Sequence, residues 1–102
     1  MENLETTLTA WTEYVQDLVD RHLAEHNYNW TETISVQRGR RYAKFVITAD
    51  HGSSVHHFVD LTNGDILKAK SWKAPAKHAR GNIFDSETWA DAVTVYGGAY
   101  LR

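Results

Sequence analysis

Between Lys68 and Phe84 the chain reads KAKSWKAPAKHARGNIF. The run holds five Lys/Arg, one His, one Trp and the only proline of the chain, and no acidic residue. That mixture suits a ligand carrying phosphate. Lysine and arginine neutralise phosphate charge, arginine through a bidentate fork. Gly81 permits close backbone approach, and N–H groups around a glycine can cradle an anion. Trp72 offers a face for a nucleobase, a contact worth about 1–3 kcal/mol in single-strand binders. Asn82 adds an amide donor and acceptor.

The hairpin signal TNGD at 62 to 65 sets the expected geometry, because Asn-Gly suits a two-residue type I′ turn. Such a turn pairs Leu61 with Ile66, Val59 with Lys68 and His57 with Lys70. His57, Lys68, Lys70 and Trp72 then line one side of a sheet. The segment KAPAKHARGN, expected as an ordered loop, supplies Lys73, Lys77, His78, Arg80 and Asn82. The candidate site is therefore His57, Lys68, Lys70, Trp72, Lys73, Lys77, His78, Arg80 and Asn82. The plainer alternative is a solvated basic strand followed by a polar loop.

A second basic cluster, QRGRRYAK, brings Arg38, Arg40, Arg41 and Lys44 to a turn. Charged turns are common, and this one reads first as ordinary surface. It extends the candidate site only if it lies at the same end of the sheet.

The six histidines raise other chemistry. His22 and His26 have the i, i+4 spacing that can bind zinc, and His56 would complete a set if the helix packs on its strand face. HLAEH is not the HExxH of metalloproteases, since Glu25 adjoins the second histidine. His56 and His57 are neighbours on a strand, so their rings should point to opposite faces. Interface histidines without metal are the expectation. No nucleophile elbow, P-loop or dinucleotide fingerprint is present. His57 with His78 is the best pair for a metal-independent phosphodiesterase, but no spacing motif supports it. A binding protein is expected in place of an enzyme, with no catalytic residue, no cofactor and no metal.

These residues need elements to hold them. Leu4, Leu8, Trp11, Val15, Leu18, Val19 and Leu23 recur at three- and four-residue steps, which predicts an amphipathic helix over 4–26. Strands are expected over 28–37, 41–49, 54–61 and 66–72, joined by short turns into an antiparallel meander. Ile83 and Phe84 re-enter the core. DSETWADAV predicts a short helix over 85–93, and the tail TVYGGAYLR a final strand. The fold class expected is α+β: an N-terminal amphipathic helix packed on an antiparallel meander sheet of four or five strands, with a short C-terminal helix. The 102 residues fit a single domain.

Composition narrows the classes further. With no cysteine, disulfides and thiolate sites are excluded. MENLETTLTAW is acidic and lacks the apolar core of a secretory signal, and no apolar run reaches membrane-spanning length. A soluble, cytoplasmic protein is expected. The net charge of −2 hides an asymmetry. Residues 1–32 hold seven acids and one base, while residues 33–84 hold nine bases and three acids. One molecule can thus present two electrostatic faces.

The segment GDILKAKSWKAPAKHARGNIFD, with SVHHFVDLTNGD leading into it and the tail VYGGAYLR, resembles a signature of small, largely uncharacterised bacteriophage proteins. The resemblance implies phage origin and action in the cytoplasm of an infected cell, and it carries no activity to transfer. The function expected is non-enzymatic binding of a phosphate-bearing ligand, nucleic acid first, through residues 68–82. Two alternatives stay open: sequestration of a cyclic or other nucleotide signal in anti-defence, and inhibition of a host protein by the acidic helix. A homodimer is compatible with each.

Overall fold

The computed structural model describes residues 3–99. It has the expected α+β architecture, with one long helix lying on a five-stranded antiparallel meander.

Helix α1 spans Leu4–Glu25. Asn3 caps it, its side-chain oxygen accepting from the backbone N–H groups of Glu5 at 2.8 Å and Thr6 at 3.2 Å. Leu8, Trp11, Val15, Val19 and Leu23 form the buried stripe that the spacing predicts. They pack on Ile34, Ala43, Phe45, Val59 and Ile66 from the sheet, and on Ile83, Ala92 and Val93 from the C-terminal segment.

The sheet runs β1 (Thr33–Arg38), β2 (Tyr42–Ala49), β3 (Gly52–Asp60), β4 (Asp65–Ala69) and β5 (Pro75–Asn82), in chain order. The fifth strand corrects the expectation of a loop over 73–82. Its cations hid it, because β5 sits at the sheet edge, where polar side chains can face water. Pro75 opens the strand, a position that needs no ladder donor. The first strand is shorter than expected. Tyr28 and Trp30 belong to the connection before it and are exposed.

Two register features reshape the candidate site. The β3–β4 connection is not a two-residue turn. Phe58 pairs with Leu67 and Val59 with Ile66, so four residues, Leu61 to Gly64, make the link. The Asp60 carboxylate holds this wider turn by accepting from the Thr62 N–H at 2.9 Å and hydroxyl at 2.6 Å. Gly64 closes it at φ +84°. The shift is by two residues, so Val59 and Ile66 keep their expected face while their partners across the strands change.

The second feature is a bulge. Phe45 pairs with His57 and Val46 with Val55, leaving His56 as the extra residue. This overturns the expectation that the two rings point to opposite faces. His56 Nδ1 lies 2.7 Å from His57 Nδ1.

The C-terminal segment also departs from a continuous helix. It forms a 3₁₀ turn at Ser86–Thr88, one helical turn α2 at Trp89–Ala92, and a two-stranded ribbon of β6 (Val93–Thr94) and β7 (Gly97–Gly98). The expected final strand thus pairs within its own ribbon, while Tyr100, Leu101 and Arg102 of the tail lie outside the described residues. Among the described residues, no helix is long and apolar enough to cross a membrane.

Candidate nucleic-acid interface

The nine sequence-derived site residues do not gather in one place. His57 is fully buried against the helix. Its Nε2 accepts from the Trp11 indole N–H at 2.9 Å, and its ring stacks on Phe45 with centroids 4.3 Å apart. Asn82 serves the fold. Its Nδ2 donates to the Asn63 carbonyl at 2.9 Å and to Asp65 at 3.1 Å, and its Oδ1 accepts from the Phe84 N–H at 2.8 Å. Arg80 donates from Nε to the Ala99 carbonyl at 2.9 Å and from Nη1 to the His78 carbonyl. Lys77 and His78 are exposed on the edge strand. Lys70 sits in the β4–β5 turn, its N–H donating to the Ala74 carbonyl at 2.9 Å. Lys68 ends on a cleft beside His56.

Trp72 and Lys73 turn the other way and meet the arginine turn. Lys73 lines a cleft of about 330 Å³ together with Arg38, Arg40, Arg41, Tyr42 and Lys44. Trp72 is 47% exposed, and the Lys44 ammonium stands 4.7 Å from its ring centroid. The Arg41 guanidinium lies 5.1 Å from the Tyr42 ring centroid. The arginine turn does not share an end of the sheet with the basic run, as the sequence condition required, and the two segments meet through these two residues alone. In a meander the β1–β2 and β4–β5 turns start from opposite ends, so Trp72 and Lys73 meet the arginine turn across the sheet face that carries Lys44 and Phe58.

Two of the five cleft cations have carboxylate partners. Arg38 Nη1 is 2.7 Å from Glu5, and Arg41 Nη2 is 3.2 Å from Asp60. Burial works against the charge on Asp60, but hydrogen bonds from Thr62 and Arg41 outweigh it and hold its carboxyl below the usual value. Asp60 therefore stays ionised and anchors Arg41 at the cleft wall. Arg40, Lys44 and Lys73 have no ion pair among the described residues. Their charge is available to an incoming anion, beside two aromatic faces.

The zinc reading fails on geometry. His22 and His26 are close, with ring centroids 4.3 Å apart, but His56 is buried beside His57. Among the described residues, no three His, Cys, Asp or Glu side chains are placed to share a metal.

The buried histidine pair has its own internal logic. An indole N–H only donates, so His57 Nε2 accepts and its proton sits on Nδ1. That proton points at His56 Nδ1, which places the His56 proton on Nε2. The tautomers follow from the network. Burial pushes His56 down to about 4, against weaker support for its charge from the Thr94 and Val95 carbonyls. Burial, and then the neighbouring His56, push His57 well below the ordinary value. Both rings are neutral at pH 7. Sequence reading missed this pair as a unit, and nothing in HHFVD signals a bulge.

Fold and surface define a small α+β domain with a basic, aromatic-flanked cleft at one end of the sheet. The chain belongs to a family of unknown function, DUF7717, whose model matches residues 2–101. No curated protein and no solved structure matches the chain.

Proposed function

We propose that the protein binds a phosphate-bearing ligand without catalysis, and that the ligand is single-stranded nucleic acid held in the cleft at the β1–β2 turn. The observation that carries this reading is the convergence of Arg38, Arg40, Arg41, Lys44 and Lys73 on one open cleft, with carboxylate partners for only two of them. Trp72, half exposed, and Tyr42 add faces on which unpaired bases can stack. Of the basic run at 68–82, this reading uses Trp72 and Lys73. It leaves His57 and Asn82 to the fold.

The small number of unpaired cations favours a short contact over a long polyanion track. The acidic exposed side of α1 works in the same direction, since it repels a strand that wraps further. The likeness of residues 64–85 to phage proteins suggests a setting in the cytoplasm of an infected cell. Sequestration of a cyclic or other nucleotide signal in anti-defence would use the same cations.

Fluorescence anisotropy with a short labelled single strand tests the reading. The wild type should bind at low salt, Arg40→Ala/Lys73→Ala should bind weakly, and Trp72→Ala should lose about 1–3 kcal/mol of stacking. A wild type that binds no oligonucleotide at low salt removes the nucleic-acid reading. A mononucleotide that competes fully at equal concentration favours nucleotide sequestration instead.

A further inference from the structure

Exposed aromatic rings gather at a second place on the molecule. Among the described residues, the exposed large hydrophobic side chains are Tyr28, Trp30, Trp72 and Tyr96. Trp72 stands over Lys44, while the other three join His22 and His26 through ring contacts at the C-terminal end of α1. The basic cleft meets the opposite end of that helix, where Arg38 pairs with Glu5, so roughly 30 Å of helix separates the two surfaces. We infer that the aromatic set is a docking surface for an arginine-rich segment of a partner protein, whose guanidinium groups stack on Tyr28 and Trp30 and pair with Asp20 and Glu32.

The chain builds this surface by ending the helix sharply. Asn27 takes φ 55°, the left-handed conformation that closes a helix. The Tyr28 N–H then donates to the Leu23 carbonyl at 2.9 Å, and the Asn27 N–H to the Ala24 carbonyl at 3.1 Å. The reversal folds Tyr28 back beside the last helical turn. Its ring stacks on His26 with centroids 5.5 Å apart and on Trp30 with centroids 4.4 Å apart, at interplanar angles of 18° and 19°. The Trp30 indole N–H donates to the Glu32 carboxylate at 2.9 Å. Three rings thus form a near-parallel column, yet Tyr28 and Trp30 remain exposed. Rings already fixed in place lose little freedom when a partner arrives.

Charge selects the occupant. Gln16 Nε2 donates to the Asp20 carboxylate at 3.0 Å and to the Glu32 carbonyl at 2.9 Å, which brings Asp20 to the Trp30 end of the column. Neither Asp20 nor Glu32 has an ion pair among the described residues. Arg21 is the one base of residues 1–32, and its Nε lies 2.9 Å from Asp17. Aromatic faces attract cations, tryptophan most strongly, and the C-terminal end of a helix adds negative potential. Rings, carboxylates and helix end therefore favour the same sign of charge.

A guanidinium fits better than an ammonium, because it is planar, stacks on rings and forks onto carboxylates. An extended segment fits better than a small free cation. The negative surface continues from Asp20 along the exposed side of α1 to Glu13, a length that successive arginines can follow.

The test is fluorescence anisotropy of a labelled hexa-arginine peptide titrated with nuclease-treated protein at low salt and pH 8, together with the nuclear magnetic resonance signal of the Trp30 indole N–H. The peptide should bind and shift that signal. A hexa-citrulline peptide, with planar groups of similar shape and no charge, should bind about tenfold more weakly or worse. Trp30→Leu and Tyr28→Leu should each weaken arginine binding about two- to fivefold, and Trp30→Phe, which keeps a ring, should lose less. Asp20→Asn should weaken it about twofold. All these changes fall on exposed side chains, and thermal melts check that each variant is folded. Trp30→Leu should keep wild-type oligonucleotide binding at the basic cleft, so the two surfaces fail separately. The inference is overturned if the arginine peptide does not bind, if the citrulline peptide binds equally well, or if Tyr28→Leu/Trp30→Leu binds as the wild type does, which would leave the acidic helix alone as the source of attraction.

Discussion

Salt dependence is the sharpest consequence of the basic cleft, because the ion pairs set its size. Five cations line the cleft, and Arg38 and Arg41 already face Glu5 and Asp60. Three remain to neutralise phosphate. For single strands, log K falls with log salt at a slope of about −0.7 per phosphate neutralised, which gives a slope of about −2. Between about 50 and 200 mM salt the affinity should then fall about 20-fold. If the ligand displaces both carboxylates, all five cations act and the slope steepens to about −3.5. Arg40→Ala/Lys73→Ala leaves about one phosphate contact, a slope near −0.7 and a fall of about threefold over the same range. The assay is anisotropy of a labelled single strand at five or more salt concentrations, for wild type and double variant. A wild-type slope near zero, or equal slopes in the two proteins, would refute the assignment of phosphate contact to this cleft.

Three further outcomes follow from the packing. The buried histidines make stability depend on pH: the folded values lie below the ordinary 6.5, so the unfolded chain binds more protons as pH falls through that value. Their contribution is complete above 6.5 and drains away towards about 4; His56 alone should account for a loss of about 2 kcal/mol by about pH 5, read by urea unfolding across that range, and a flat profile would contradict the neutral pair. Gly97→Ala should lower stability by about 2 kcal/mol or more, since it combines φ +140° with a backbone oxygen 2.6 Å from the new Cβ. Gly52→Ala, at φ +139° with nothing within 4 Å, should cost distinctly less in the same thermal melts. Asn82→Ala removes the ties to Asn63, Asp65 and the Phe84 N–H and should cost about 2 kcal/mol in urea unfolding, although sequence alone marks that residue as ligand-binding.

The elements were legible where one physical signal dominated. The apolar stripe from Leu8 to Leu23 named the helix and its buried side, and the Asn3 cap confirmed its start. The meander followed from short turns between alternating strands. Edge strand β5 was not legible, because Lys77 and His78 face water and leave no alternation of apolar residues to read. Its cations could be counted but not placed. The Asn63-Gly64 pair marked a turn correctly and misjudged its length, since a dipeptide rule cannot see the Asp60 carboxylate that binds Thr62 and widens the connection.

The site was harder to read for a related reason. Charge type is local information, while convergence depends on register and on how a turn lies across the sheet. Lys73 and the arginine turn are more than thirty residues apart in the chain, and they meet only because the β4–β5 turn reaches across the sheet face at Lys44 and Phe58. The histidine pair shows the same dependence most directly. Alternation places His56 and His57 on opposite faces, and with an even register His56 would turn away from the helix. One extra residue in β3 puts both rings in contact, links them to Trp11 and leaves His56 Nε2 without a partner. Register here decides which nitrogen holds the proton and where that proton points. Removing His56 from the bulge should restore simple alternation, and with it the Trp11–His57 contact should lose its second histidine.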